Sequence, residues 1–171
     1  MRPASLAELY EPAESALAQI ERWKAAGESI VFANGCFDIL HIGHLTLLHE
    51  AAAMGDRLVV GINSDASVRA LKGPDRPIVT ARERYLLLRS LSPVDAVIVF
   101  DDPTPFALIQ QVVPNVLVKG GDYAVGVPET DPRFIVGSHE ILQSGGLVHV
   151  VPPVPNRSTT RMVERTVDNP E

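Results

Sequence analysis

Five short runs rich in valine and isoleucine recur along this chain, at Ile30–Ala33, Arg57–Ile62, Asp95–Phe100, Val116–Val118 and Leu147–Val151, with helical patterns between them. Runs of this kind are too apolar to face water on one side, so they read as strands covered on both faces. A strand followed by a helix and another strand needs a crossover connection, which makes the sheet parallel. The expectation is an α/β fold: a Rossmann-like, doubly wound parallel sheet of five strands.

Helix punctuation agrees with that layout. Thr80-Ala81-Arg82-Glu83 is a capping box, Gly55 should end the helix that begins near Leu45, and Gly145-Gly146 should end the one at Ser138 to Ser144. Thr104-Pro105 reads as a cap with proline at the first helical position. Ahead of the first strand, Ala13, Leu17, Ile20 and Trp23 fall at helical spacing over residues 11–26, which predicts an extra N-terminal amphipathic helix packed outside the sheet. We therefore expect a helical extension at 1–28 and one α/β domain at 29–167, with a last helix from about Thr159.

The chemistry concentrates where the first strand ends. Asn34-Gly35-Cys36-Phe37-Asp38 leaves the strand, and His41-Ile42-Gly43-His44 opens the next helix. A helix start offers free N–H groups and partial positive charge to an anion. Gly43 lets a phosphate approach the backbone between two imidazoles that lie on one side of the first turn. The segment therefore reads as a polyphosphate site. The other histidines, His49, His139 and His149, stand alone in helix or strand patterns and read as structural.

These residues resemble the HxGH signature of the cytidylyltransferase-like nucleotidyltransferases, and among them the heptose 1-phosphate adenylyltransferases, found free-standing or fused to a sugar kinase. The resemblance runs from Phe32 to about Val163. It includes Asn63-Ser64-Asp65, Leu71-Lys72-Gly73 with Arg76-Pro77, Arg84, Val94-Asp95, Val118-Lys119-Gly120-Gly121-Asp122-Tyr123 and Ser158-Thr159-Thr160. It implies transfer of AMP from ATP to a sugar 1-phosphate such as D-glycero-D-manno-heptose 1-phosphate, giving an ADP-sugar for lipopolysaccharide or another surface glycan. Pyrophosphate is the other product.

In that scheme His41, His44, Lys72 and Arg84 carry the chemistry. An acceptor phosphate attacks the α-phosphorus in line, so catalysis is mainly positioning plus donors and cations aimed at anionic oxygens. The imidazoles would donate to the phosphoryl oxygens, each near its unperturbed pKa. Only three lysines stand against twelve arginines, and two of them fall in matched motifs. Lys72, on a turn-rich segment after the second strand, would reach over the site from a mobile loop and bind phosphate, while Arg84 would offer paired hydrogen bonds. The resemblance assigns nucleotide binding to Asn34, Gly35, Cys36, Phe37, Asp38, Gly43, Lys119, Gly121, Asp122, Ser158, Thr159 and Thr160. Asp38 and Asp122 could position the nucleotide or a hydrated Mg²⁺, and Asp38 could equally accept hydrogen bonds from the loop backbone. No residues are assigned as metal ligands, and Mg²⁺ would be held mainly through substrate phosphates.

Other readings share parts of this pattern. Cytidylyl transfer to glycerol 3-phosphate would use the same phosphate-handling residues, and a non-catalytic nucleotide-binding protein would need only some of them. A formal charge of −6 argues against nucleic acid or an anionic membrane as partner. A single cysteine, Cys36, cannot form an internal disulfide and reads as a turn residue rather than a nucleophile. The expected compartment is the cytoplasm. Family resemblance adds a homodimer, and Ala124–Phe134 is expected to overhang the acceptor side of the site.

Overall fold

The computed structural model describes Ser5 and residues 9–155. Within them the elements are α1 (Ala13–Ala25), β1 (Ile30–Gly35), α2 (Ile42–Ala52), β2 (Arg57–Asn63), α3 (Asp65–Lys72), α4 (Ala81–Arg89), β3 (Ala96–Phe100), α5 (Phe106–Val112), β4 (Val116–Gly120), α6 (Ser138–Gln143) and β5 (Leu147–Val151). The five strands form one sheet in the order β3-β2-β1-β4-β5, and every pairing is parallel. This is the doubly wound sheet that the alternating runs predict.

Side chains alternate between two cores, as the period of two in a strand requires. Val31, Ala33, Leu58, Val60, Val97 and Val118 face a layer built with Leu47, Leu48 and Ala51 of α2 and Tyr85 and Leu88 of α4. Ile30, Phe32, Val59, Ile98 and Leu117 face the opposite layer, closed by Ala16 and Ile20 of α1, Leu108, Ile109 and Val112 of α5 and Ile141 of α6. Gly61 of β2 lies under that second layer because a Cβ there would stand 2.7 Å from the Phe32 ring. Among the described residues no helix is long and apolar enough to cross a membrane.

The structure corrects several local expectations. α3 takes in Leu71 and Lys72, the first two residues of the segment expected to be turn-rich, so Lys72 is the last residue of a helix and the turn lies beyond it, at Pro74-Asp75; Ser64 caps the start of α3 by accepting from Ser67 N–H, and Gly73, at φ +100°, stops it. Pro105 itself occupies the N-cap position of α5, which has no side-chain cap. α2 ends at Ala52, before Gly55, whose place is set by close approach: a Cβ there would stand 2.7 Å from Val31. β1 and β4 each extend two residues beyond their apolar runs, because backbone pairing continues through Asn34-Gly35 and Lys119-Gly120. That extension carries polar side chains to the carboxyl edge of the sheet. The helix expected from Thr159 lies outside the described residues.

Candidate active site

β1 and β4 are neighbours whose connections leave the sheet toward opposite faces, so a crevice opens beyond their carboxyl ends, the usual ligand position in such sheets. A cavity of about 590 Å³ lies there, lined among others by Asn34, Cys36, His44, Lys72, Lys119 and Tyr123. Lys119 crosses the crevice. Its Nζ donates to Asn34 Oδ1 at 3.2 Å and to the Asn34 carbonyl at 3.4 Å, and it lies 5.2 Å from the centre of the Tyr123 ring. The side chain keeps some exposure, but its ammonium is enclosed, and that burial pulls its pKa down to about 8. No carboxylate among the described residues pairs with it.

The histidines divide their work. His41 is the N-cap of α2, in extended backbone conformation, and its Nδ1 accepts the Gly43 N–H at 3.1 Å. An imidazole that accepts through Nδ1 keeps its proton on Nε2, so the cap fixes the tautomer. His41 stacks on His44 with ring centres 3.9 Å apart, and His44 also tilts against Phe37 at 5.0 Å. Burial, the neighbouring His41 ring and the Lys72 ammonium push the His44 pKa down to about 4, with the Ile39 carbonyl acting the other way. Burial lowers His41 as well. Both rings are therefore shifted toward their neutral forms instead of being poised near an unperturbed value. The Gly43 N–H, expected to meet a phosphate, is already taken by His41.

Asp38 is a latch rather than a ligand. Its buried carboxylate accepts from Ile78 N–H at 2.8 Å and Val79 N–H at 2.9 Å and pairs with the Arg76 guanidinium. Burial alone would raise its pKa, but the donors from Val79, Arg76 and Ile78 outweigh it and hold the group below the ordinary carboxylate value. The segment after Lys72 is thus fastened to the turn after β1. Lys72 itself is exposed and borders the cavity, so the expected cation is present, mounted on a helix end instead of a mobile loop.

Arg84 does not face the cavity. It is 0% exposed, so no substrate atom can reach it, and its guanidinium is held by protein acceptors: Nε donates to the Val79 carbonyl (2.9 Å), one terminal nitrogen to the carbonyls of Cys36 (2.6 Å) and Asn63 (2.8 Å), and the other to Asp65 (2.8 Å). Its expected role as a phosphate ligand is corrected on that ground. Asp122 is exposed and, like Gly121, does not line the cavity; Gly121 turns the chain at φ +122°. Gly35, Cys36 and Phe37 do line it, whereas Ser158, Thr159 and Thr160 lie outside the described residues.

Three parts of the wall were not assigned from the sequence. Asn63 ends β2 beside the site, and Pro103, Thr104 and Pro105 follow β3. Their signal was positional: each follows or ends a strand of a parallel sheet at its carboxyl edge. Leu47 of α2 adds an apolar patch. The segment expected to overhang the site contributes Pro132 and Phe134, with Ile135 and Val136 beyond it.

Among the described residues no three histidine, cysteine, aspartate or glutamate side chains group together, and Asp38, the carboxylate on the cavity wall, is engaged by the latch.

Comparison with known proteins gives a consistent picture. A family described as cytidylyltransferase-like matches residues 32–165. The chain is 51% identical over 146 residues to the bifunctional protein HldE of Koribacter versatilis, covering 85% of this chain and 29% of that protein. It is 50% identical over 152 residues to the bifunctional protein HldE of Pseudomonas paraeruginosa, covering 89% and 31%. The chain thus spans under a third of the length of these relatives. Its fold is similar to the crystal structure of the lipopolysaccharide core biosynthesis protein from Thermoplasma volcanium, with a TM-score of 0.56 and 30% identity over 75% of this chain and 98% of that one.

Proposed function

Because the chain belongs to the cytidylyltransferase-like family, we propose that it is a nucleotidyltransferase that moves AMP from ATP to a sugar 1-phosphate, D-glycero-D-manno-heptose 1-phosphate, and releases pyrophosphate. The observation that carries this reading is a local reversal of charge. In a chain of formal charge −6, the cavity gathers Lys72, Lys119 and His44, with His41 outside the lining but stacked on His44, while its carboxylate is already paired. Such a surface suits a polyanion. The structural neighbour's title, a lipopolysaccharide core biosynthesis protein, supports a sugar phosphate as acceptor.

An oxygen of the acceptor phosphate forms the new bond to the α-phosphorus as the bond to the β-phosphate bridge oxygen breaks. Both reactants are anions, so the chain's residues must hold them together and meet charge on the phosphoryl oxygens. His41, fixed by its cap as an Nε2–H donor, and His44 stacked on it would donate to those oxygens. Neutral rings suffice for donation, and a bound triphosphate would favour their charged forms. Lys119 would hold phosphate from the floor of the crevice and Lys72 from its rim. Mg²⁺ belongs to this reading as a companion of the triphosphate, keeping most of its waters.

A cytoplasmic homodimer acting on small molecules completes the proposal, and light scattering tests its oligomeric part. The deciding assay sets ATP, CTP, GTP and UTP against heptose 1-phosphate and glycerol 3-phosphate, scored by pyrophosphate release. ATP with the heptose should exceed every pairing with glycerol 3-phosphate by at least roughly tenfold in kcat/KM, equivalent to about 1.4 kcal/mol. Turnover of CTP with glycerol 3-phosphate alone would refute the acceptor and base.

A further inference from the structure

Arg84 is a fully buried cation in a position where the ordinary solution would be an apolar side chain of α4. Its four hydrogen bonds reach four separate pieces of chain: backbone carbonyls in the turn after β1, at the end of β2 and in the segment that leads into α4, and the side-chain carboxylate at the start of α3. Two of these pieces, at Cys36 and Asn63, line the cavity, whereas Arg84 itself does not. We propose that Arg84 is a positioning residue that sets the phosphate end of the cavity from behind, by gathering the carbonyls of Cys36, Asn63 and Val79 and the carboxylate of Asp65 on one planar guanidinium.

A second observation shows what that grip maintains. Phe37, directly after Cys36, has φ +49°, a left-handed conformation that a bulky residue adopts only when its surroundings impose it. With the Cys36 carbonyl held at 2.6 Å by Arg84, the chain turns there, and the Phe37 ring is buried against His44 at 5.0 Å. The line of contact therefore runs from Arg84 through the Cys36 carbonyl and the Phe37 turn to His44. Cys36 Sγ, 3.6 Å from Asn63 Oδ1, ties the same two strand ends together on the cavity side. A lysine could replace the charge but not the geometry, since an ammonium cannot present the fork that spans four acceptors.

The catalytic consequence rests on the transferase reading above, but the positioning itself has a readout that needs no substrate. Cys36 is the only cysteine in the chain, it is half-buried, and it sits in the turn that Arg84 holds. The experiment measures the rate of Cys36 alkylation by iodoacetamide in the parent, R84K and R84M, each checked by circular dichroism and for a single cooperative thermal transition. Both variants are expected to react several-fold faster than the parent, and kcat for ATP with the sugar 1-phosphate should fall roughly 100-fold, the scale of a displaced reacting group. Alkylation at the parent rate in a folded variant overturns the proposal whatever happens to turnover, because the turn would then be held without Arg84. If neither variant folds, D65N carries the test: it removes the carboxylate charge opposite the guanidinium and should also speed alkylation, and a parent rate there overturns the proposal. A protein with no transferase activity but with accelerated alkylation in R84K would refute the reaction and leave the positioning role standing.

Discussion

His41 caps the helix that carries His44 and stacks against it: Nδ1 of His41 accepts the Gly43 N–H at 3.1 Å while the two ring centres stand 3.9 Å apart. One side chain therefore links helix initiation to the alignment of its neighbour. His41→Ala should lose about 1 kcal/mol of stability with the cap, and on the order of 10² to 10³-fold in kcat with the donor. His41→Asn can restore the cap through its side-chain oxygen but not the imidazole, so it should recover the stability and not the rate. His44→Ala should lose rate without a capping loss. Thermal denaturation and single-turnover kinetics on the three variants check this, and a His41→Asn enzyme with parent kcat would refute the donor role.

Lys119 should make activity and stability respond oppositely to alkaline pH. Its folded pKa is lowered to about 8, so between about pH 8 and its unfolded value near 10.4 the unfolded state binds more protons and stability gains from this group as pH rises. Phosphate binding needs the ammonium, so kcat/KM should fall over the same range, starting near pH 8. In kcat the limb should lie higher, because bound triphosphate favours the protonated form. Lys119→Met removes both effects, and the difference between parent and variant in urea denaturation at pH 7 and pH 10 isolates the stability part. A kcat/KM profile flat through pH 9.5 in the parent would contradict the assignment.

The sheet was legible because parallel strands buried on both faces write themselves as apolar runs, and the capping box at Thr80 and Glu83 is local enough to read from four letters. His41 and His44 were legible for the same reason, being three residues apart on one turn. What failed to show were partners distant in sequence. Asp38 meets Ile78 and Val79 about forty positions later, and Arg84 reaches back 48 residues to Cys36. A charged residue in a matched motif reveals its type but not which way it faces, so Arg84 read as a ligand when it is a buried brace. α3 was missed because it is short and weakly apolar, with Val68 buried but Leu71 56% exposed.

Gly61 tests the packing of the second core. A Cβ at this position would lie 2.7 Å from Phe32 Cζ and 3.1 Å from Leu108 Cδ2, inside β2 where neither backbone can withdraw. Gly61→Ala should cost about 1–3 kcal/mol, the range for overpacking a filled core. Gly61→Ala combined with Phe32→Leu should cost less than the sum of the two single changes, because the shorter side chain vacates the ring position. Urea midpoints of the three variants give the coupling, and strict additivity would mean that the two residues do not meet.

The Asp38–Arg76 pair fastens the segment behind Lys72 to the turn after β1, and its energetics are separable. Asp38→Asn keeps the shape and can keep one oxygen for the Ile78 and Val79 N–H groups, but it turns an amide toward a mostly buried guanidinium that then has no carboxylate. Breaking a buried pair from one side costs about 3–5 kcal/mol, whereas removing both charges costs far less. Asp38→Asn should therefore be severely destabilised, and adding Arg76→Met should return a large part of that loss. Acid should weaken the same latch: the Asp38 pKa is lowered in the folded state, so its contribution is present above the unfolded value and disappears as pH falls through the folded one. If the latch also positions Lys72, the double variant will regain stability while kcat/KM for ATP stays reduced, since the segment is refolded but no longer tied to the histidine turn. Urea denaturation and steady-state kinetics on the single and double variants measure both quantities, and additive losses in stability would show that Asp38 and Arg76 do not act as a pair.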